Sequence, residues 1–156
     1  MSKQVYLREV ELTDLPEFFQ HQKDPIAGEM AAFPARERDA FMTHWKKILA
    51  DDGVAKRTIV FDSEIAGNVV CFEQSSKLLI GYWIDRRFWG QGIASRAVAE
   101  FVSMIMERPI FAYVAKHNLA SIRVLEKCGF EVAGESRSAA ATGGEVVDEF
   151  IYSLSG

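Results

Sequence analysis

The stretch best suited to chemistry is Asp85-Arg-Arg-Phe-Trp-Gly-Gln-Gly-Ile-Ala-Ser-Arg96. An extended run, IGYWID, ends at Asp85, Gly90 and Gly92 follow, and helical spacing begins at once. Glycine lets backbone N–H groups turn toward an anion and approach it closely. A helix N-terminus adds unpaired donors and the positive end of its dipole. Together they make a phosphate cradle. Arg86, Arg87 and Arg96 against Asp85 leave the segment net positive in a chain of formal charge −4, which suits a polyanionic ligand. The two glycines alone would also fit a tight turn that binds nothing. The spacing matches neither GxGxxG nor GxxxxGK[ST], and the preceding strand belongs to a meander rather than opening a βαβ unit, so Rossmann and P-loop readings fail.

A second segment, Asn118-Leu-Ala-Ser-Ile-Arg-Val-Leu-Glu-Lys-Cys-Gly-Phe130, narrows the choice. With IGYWID, WGQGIAS and NLASIRVLEKCGF in this order and spacing, the chain resembles the GNAT superfamily of acetyl-CoA-dependent N-acetyltransferases. More narrowly it resembles the RimJ/RimL branch, which acetylates protein N-termini and small amines. The resemblance covers most of the chain and is strongest over residues 78–131. It implies acetyl-CoA as cofactor, with coenzyme A as product. The superfamily's Q/R-x-x-G-x-G/A loop falls on Trp89-Gly90-Gln91-Gly92-Ile93-Ala94, and the amides of residues 90–95, through Ser95, would hold the pyrophosphate. The resemblance further implies that the fourth and fifth strands splay and that the pantetheine arm fills the gap, with backbone contacts from Tyr82, Trp83 and Ile84. Asn118 and Ser121 match positions near the pantetheine and the sulfur. Two residues depart from the pattern: Trp89 stands where Gln or Arg is usual, and Leu125 where many members carry a tyrosine that protonates the leaving thiolate.

The implied reaction is direct attack of a neutral primary amine on the thioester in a ternary complex. A free thiol ionises near pH 8.5, roughly, so its thiolate leaves tolerably without a strong acid. A backbone amide near residues 82–84 would stabilise the oxyanion. Ser121, one helical turn before Leu125 and on the same face, is the candidate to shepherd the thiolate; a serine there also suits a helix backbone group. Three residues compete as base. Glu73 ends a strand beside the proposed cleft, where burial would raise its pKa. Tyr113 lies on the fifth strand, and Glu149 on the last. Water is a further alternative, and His117 reads as solvated. A non-catalytic acyl-CoA-binding sensor or scaffold is the competing function.

These residues must be positioned by a chain of 156 residues, 49% hydrophobic and 26% charged, which suits one domain spanning 1–156. Alternation marks strands at 4–8, 57–61, 65–73, 77–85, 110–114, 130–134 and 146–154. Helical spacing marks 14–22, 35–50 (Phe41, Trp45, Ile48 and Leu49 on one stripe), 92–107 and 118–127. Thr13 or Asp14 is expected to cap the first helix with Glu17 in a capping box, and Asp24-Pro25 to end it. The expected fold is α/β: a mixed, mostly antiparallel sheet of six to seven strands flanked by about four helices. Met104 and Met106 are expected to pack, and Lys46-Lys47 to be solvated. The first helices and residues 136–145 would wall the acceptor site. The mild acidity argues against a nucleic-acid surface, the longest apolar run is too short to cross a bilayer, and MSKQVYLREV has no apolar h-region. Two cysteines fit a cytoplasmic, reducing setting, and no HExxH or CxxC spacing suggests a metal. The expected partner is a small-molecule or peptide amine, with the protein a monomer or homodimer.

Overall fold

The segment 77–84 alternates strictly, sending Leu78, Ile80, Tyr82 and Ile84 to one side and Leu79, Gly81 and Trp83 to the other. This strand sits at the middle of a seven-stranded sheet. The computed structural model describes residues 4–32, 35–138 and 147–156. Pro34, the Gly143-Gly144 turn and most of the expected acceptor wall at 136–145 lie outside them, while residues 136–138 complete a strand. The strands are β1 (Val5–Arg8), β2 (Ala55–Phe61), β3 (Glu64–Gln74), β4 (Lys77–Ile84), β5 (Ile110–Ala115), β6 (Glu131–Ser138) and β7 (Val147–Leu154), in spatial order β1-β2-β3-β4-β5-β7-β6. Every neighbouring pair is antiparallel except β4 and β5. Those two are parallel and register only at Leu78–Ile110 and Leu79–Phe111. Beyond that point they part, as the family resemblance implied.

Among the described residues five α-helices cover the sheet: α1 (Leu15–Gln22), α2 (Pro25–Ala31), α3 (Arg38–Ala50), α4 (Ile93–Ser103) and α5 (Leu119–Lys127). On one face α4 and α5 bury Ile93, Val98, Phe101 and Leu125 against Ile80, Ile84, Ile110 and Val114. On the other, Phe18, Phe19, Phe41 and Trp45 form a second cluster that reaches Ile65 and Val70 of β3. Rings of α1 meet rings of α3 there, Phe18 with Trp45 at 5.0 Å and Phe19 with Phe41 at 5.5 Å.

Three expectations change. Asp24-Pro25 does not merely end a helix; Asp24 accepts the Ile26 amide at 3.0 Å and Pro25 opens α2, the asymmetry expected of proline at a first helical position. Asp14 stands before α1 but makes no side-chain cap bond. It is buried and instead accepts from both Arg8 Nη atoms at 2.8 Å, from Thr58 Oγ1 at 2.7 Å and from the Glu11 amide at 2.9 Å. The first helical turn of the chain thus serves as a pin joining β1 to β2. Finally α4 stops at Ser103, and Met106 is 87% exposed, with Met104 also exposed. Arg108 donates to the carbonyls of Val102 and Ile105, at 3.1 and 2.7 Å, so the end of α4 is satisfied without further helix. Lys46 and Lys47 are exposed as expected.

Candidate functional site

Where β4 and β5 part, a cleft of about 820 Å3 opens between α4 and α5. Tyr82, Trp83 and Ile84 line it from β4, and Trp89, Gly90 and Gly92 from the following turn. Ile93, Ala94 and Ser95 of α4 and Asn118 and Ser121 at the start of α5 complete the residues expected there. Gln91 is not part of the lining; its carbonyl accepts from Arg96 Nη2 at 3.2 Å.

The glycine turn has the form of an anion cradle. Gly90 and Gly92 hold φ of +79° and +76°, and a Cβ built on either meets nothing within 4 Å. Gly92 is the N-cap of α4 and gives it no side-chain acceptor, so the first amides of α4 lack a cap partner. The space and the donors fit a pyrophosphate. The arginines of the segment, expected to suit the site to a polyanion, do not line the cleft. Arg86 pairs with Asp24 at 2.5 Å, Arg87 with Asp85 at 2.7 Å, and Arg96 donates to carbonyls of the turn itself. Cations reach the cleft from α5 instead, as Arg123 and Lys127. Their i, i+4 spacing on a helix already placed beside the cleft was the available signal.

At the deeper end the backbone of β4 is partitioned. The Trp83 carbonyl points at Gly67 of β3, where an added Cβ would lie 2.0 Å from its oxygen. The Ile84 carbonyl accepts from Trp89 Nε1 at 2.9 Å, which gives the unusual aromatic at position 89 a place. Adjacent residues of a strand direct their polar groups to opposite sides, so the groups of Tyr82 face the parting with β5. The phenol of Tyr82 lies 2.5 Å from Ser121 Oγ, and burial, opposed by that hydrogen bond, pushes its pKa up to about 12. Asn118 Oδ1 accepts the Ser121 amide at 3.2 Å and caps α5. Leu125 is 1% exposed and belongs to the core, so the helix offers no hydroxyl there.

The opposite side of the parting is crossed by α2, which lines the cleft with Ala27, Met30 and Ala31. It is tied at both ends: Asp24 to Arg86 beyond β4, and the Glu29 carbonyl to His117 Nε2 beyond β5 at 3.0 Å. His117 is exposed, as expected, yet it serves as a tether. Strand register sets Tyr113, Ala115, Glu149 and Ile151 on one face, opposite to the face of Ile110, Ala112 and Val114 in the α4–α5 core. Tyr113 is 42% exposed. Glu149 is partly buried, and burial raises its carboxyl pKa. Glu73 is exposed and pairs with Leu78, at the closed end of the β4–β5 pairing. It is four residues of strand from Tyr82, roughly 13 Å, and the structure does not bring it to the cleft. His21 was not singled out by sequence. It is buried, both ring nitrogens lack a hydrogen bond, and Nε2 lies 3.6 Å from carboxylates of Glu17 and Asp85. Burial lowers its pKa despite those carboxylates. Cys128 is free and donates to the Ser95 carbonyl between α4 and α5. Among the described residues no cluster of His, Cys, Asp or Glu could hold a metal, and no helix is long and apolar enough to cross a membrane.

A family model described as an acetyltransferase (GNAT) domain matches residues 4–131. An uncharacterized N-acetyltransferase of Bacillus licheniformis, p20, is 28% identical over 98% of this chain and 93% of its own. The L-amino acid N-acetyltransferase AaaT of Escherichia coli is 28% identical over 68% of this chain and 72% of its own. Among solved structures, the ribosomal L7/L12 alpha-N-protein acetyltransferase RimL in complex with coenzyme A superposes with a TM-score of 0.81 at 19% identity, covering 97% of this chain and 93% of that one.

Proposed function

The chain belongs to the GNAT acetyltransferase family, and from that premise we propose how its cleft works as that of an acetyl-CoA-dependent N-acetyltransferase acting on an amine. The observation that carries the reading is the glycine turn at the N-terminus of α4, opening into the gap between β4 and β5. Bound acetyl-CoA supplies a thioester carbonyl and a thiol leaving group. The amides of residues 93–95 hold the pyrophosphate, and Arg123 and Lys127 bring positive charge to the phosphates. Tyr82 and Ile84 offer backbone groups to the pantetheine, with the Tyr82 amide the donor for the developing oxyanion. Ser121 offers its hydroxyl to the leaving sulfur. None of Glu73, Tyr113 and Glu149 lines the cleft; Glu149 is the base of choice because it is a carboxylate made more basic by burial and its register sets it opposite the α4–α5 face, near the open end of β5.

The acceptor enters from the α2 side and is an α-amine, of a peptide N-terminus or of an amino acid. By name, RimL and AaaT act on amines of these two kinds. An α-amine has a pKa of about 8 against about 10.4 for a lysine, so a carboxylate of modest basicity suffices to take its proton. A cytoplasmic monomer or homodimer, one domain over residues 1–156, completes the proposal. The test is thiol release from acetyl-CoA across N-terminal peptides, free amino acids, lysine side-chain analogues and polyamines. Turnover on α-amines at least about tenfold faster than on ε-amines is expected. Equal rates would overturn the acceptor assignment. Tight coenzyme A binding with no release on any amine would favour the acyl-CoA sensor instead.

A further inference from the structure

Resting on the reading that Ser121 serves the leaving sulfur, we propose that Tyr82 is a positioning residue that sets the direction in which Ser121 offers its proton. The two side chains come from elements 39 positions apart. Tyr82 shares the inward face of Ile80 and Ile84, past the point where β4 and β5 separate. Its phenol has one proton and two acceptors in reach: Ser121 Oγ at 2.5 Å and the Ser121 carbonyl at 3.4 Å. Either oxygen of the 2.5 Å contact could donate, and we assign the proton to the phenol, with the nearer Ser121 Oγ as its acceptor. A serine hydroxyl that accepts must direct its own proton elsewhere. Among the described residues the Ser121 hydroxyl has no other hydrogen-bond partner, and both residues line the cleft. The proton therefore points into the cleft. Asn118, by accepting the Ser121 amide, holds the first turn of α5 so that this direction persists.

Magnitudes decide between positioning and acid catalysis. The phenol is pushed up to about 12 by burial, whereas a thiol ionises at about 8.5, so handing the phenol proton to the thiolate is uphill by more than a thousandfold. Tyr82 keeps its proton. As the bond from the amine nitrogen to the acetyl carbon forms and the carbon–sulfur bond breaks, the electron pair stays on sulfur. The Ser121 hydroxyl meets that charge with a hydrogen bond. The amine proton leaves to the base, and the thiolate takes its proton from solvent. The phenol that many relatives would place at position 125 is thus replaced by one from β4, acting at one remove.

The proposal predicts a property of the full-length protein with coenzyme A alone. Its bound thiol, followed by the ultraviolet absorbance of the thiolate, should titrate below its free value of about 8.5. Ser121→Ala should raise that titration by roughly one to two units, the worth of one hydrogen bond to a charged group. Tyr82→Phe should raise it by a similar or smaller amount, and the double variant no further than Ser121→Ala. In turnover, Tyr82→Phe should lower kcat about three- to tenfold while leaving the acetyl-CoA KM within about twofold. A titration unmoved by Tyr82→Phe but moved by Ser121→Ala overturns the proposal alone. Additive shifts in the double variant do the same. A titration unmoved by Ser121→Ala removes the Ser121 reading and the proposal together. If Tyr82→Phe fails to fold, 3-fluorotyrosine at 82 preserves shape and sharpens the donor. It should lower the bound thiol's titration, and no change would count against the pair.

Discussion

Glu149 shows what a single side chain gains from its place in the sheet. Burial raises its carboxyl above the ordinary glutamate range, so the ionised, base-competent form is lost as pH falls through that raised value. We expect kcat/KM to rise with pH across this limb, and Glu149→Gln to abolish the limb and lower kcat by at least about 100-fold. An unchanged acid limb in pH–rate profiles of the variant would exclude Glu149 as base. The sequence marked Gly90, Gly92, Asn118 and Ser121 because each belongs to a short contiguous motif. It did not mark the Tyr82 side chain, whose partner is 39 residues away, and it placed Glu73 ahead of Glu149. That ranking depends on which end of β4 pairs with β5, and register is absent from local alternation.

At the scale of elements, the turn into α4 and the strap formed by α2 define the two sides of the cleft. The turn was legible only together with the Asn118–Phe130 segment, since two glycines alone also fit a tight turn that binds nothing. The strap was not, because Asp24-Pro25 stops one helix and starts the next, and only the cap bond to Ile26 tells the two apart. Gly92 permits a sharp prediction. A methyl group there faces φ of +76° and fills the open space above the turn. Strain of about 1 kcal/mol or more should lower stability modestly, while coenzyme A affinity, read by calorimetry, should fall by about tenfold or more. Loss of stability without loss of affinity would show that the turn only bends the chain.

Across the whole molecule, the sheet is anchored at its β1 edge by Asp14, which gathers Arg8, Thr58 and the Glu11 amide. Burial works to raise the Asp14 pKa, but the hydrogen bonds from Arg8, Glu11 and Thr58 outweigh it and the net shift is downward. A depressed native value means the carboxylate stabilises the fold fully above its unfolded pKa of about 3.9, and that this contribution is lost as pH falls through the native value. Asp14→Asn should therefore cost about 2–3 kcal/mol in urea unfolding at pH 7, with the difference from wild type shrinking below about pH 4. A constant difference across that range would mean that shape rather than charge matters. The seven strands and four of the five helices could be read from periodicity. The pin could not, because a residue type that suits a helix cap was recruited across the sheet by an arginine.

The three tryptophans fall in two unlike places. Trp83 and Trp89 line the cleft, and Trp45 is buried among the phenylalanines of the opposite face. The protein accordingly carries its own optical probe: two indoles that line the cleft, beside one buried away from it. Titration with coenzyme A should change the cleft's share of the emission and leave a buried, unquenched component. Trp89→Phe should remove a large part of the response, so occupancy of the donor site can be followed without a label and before any acceptor is known.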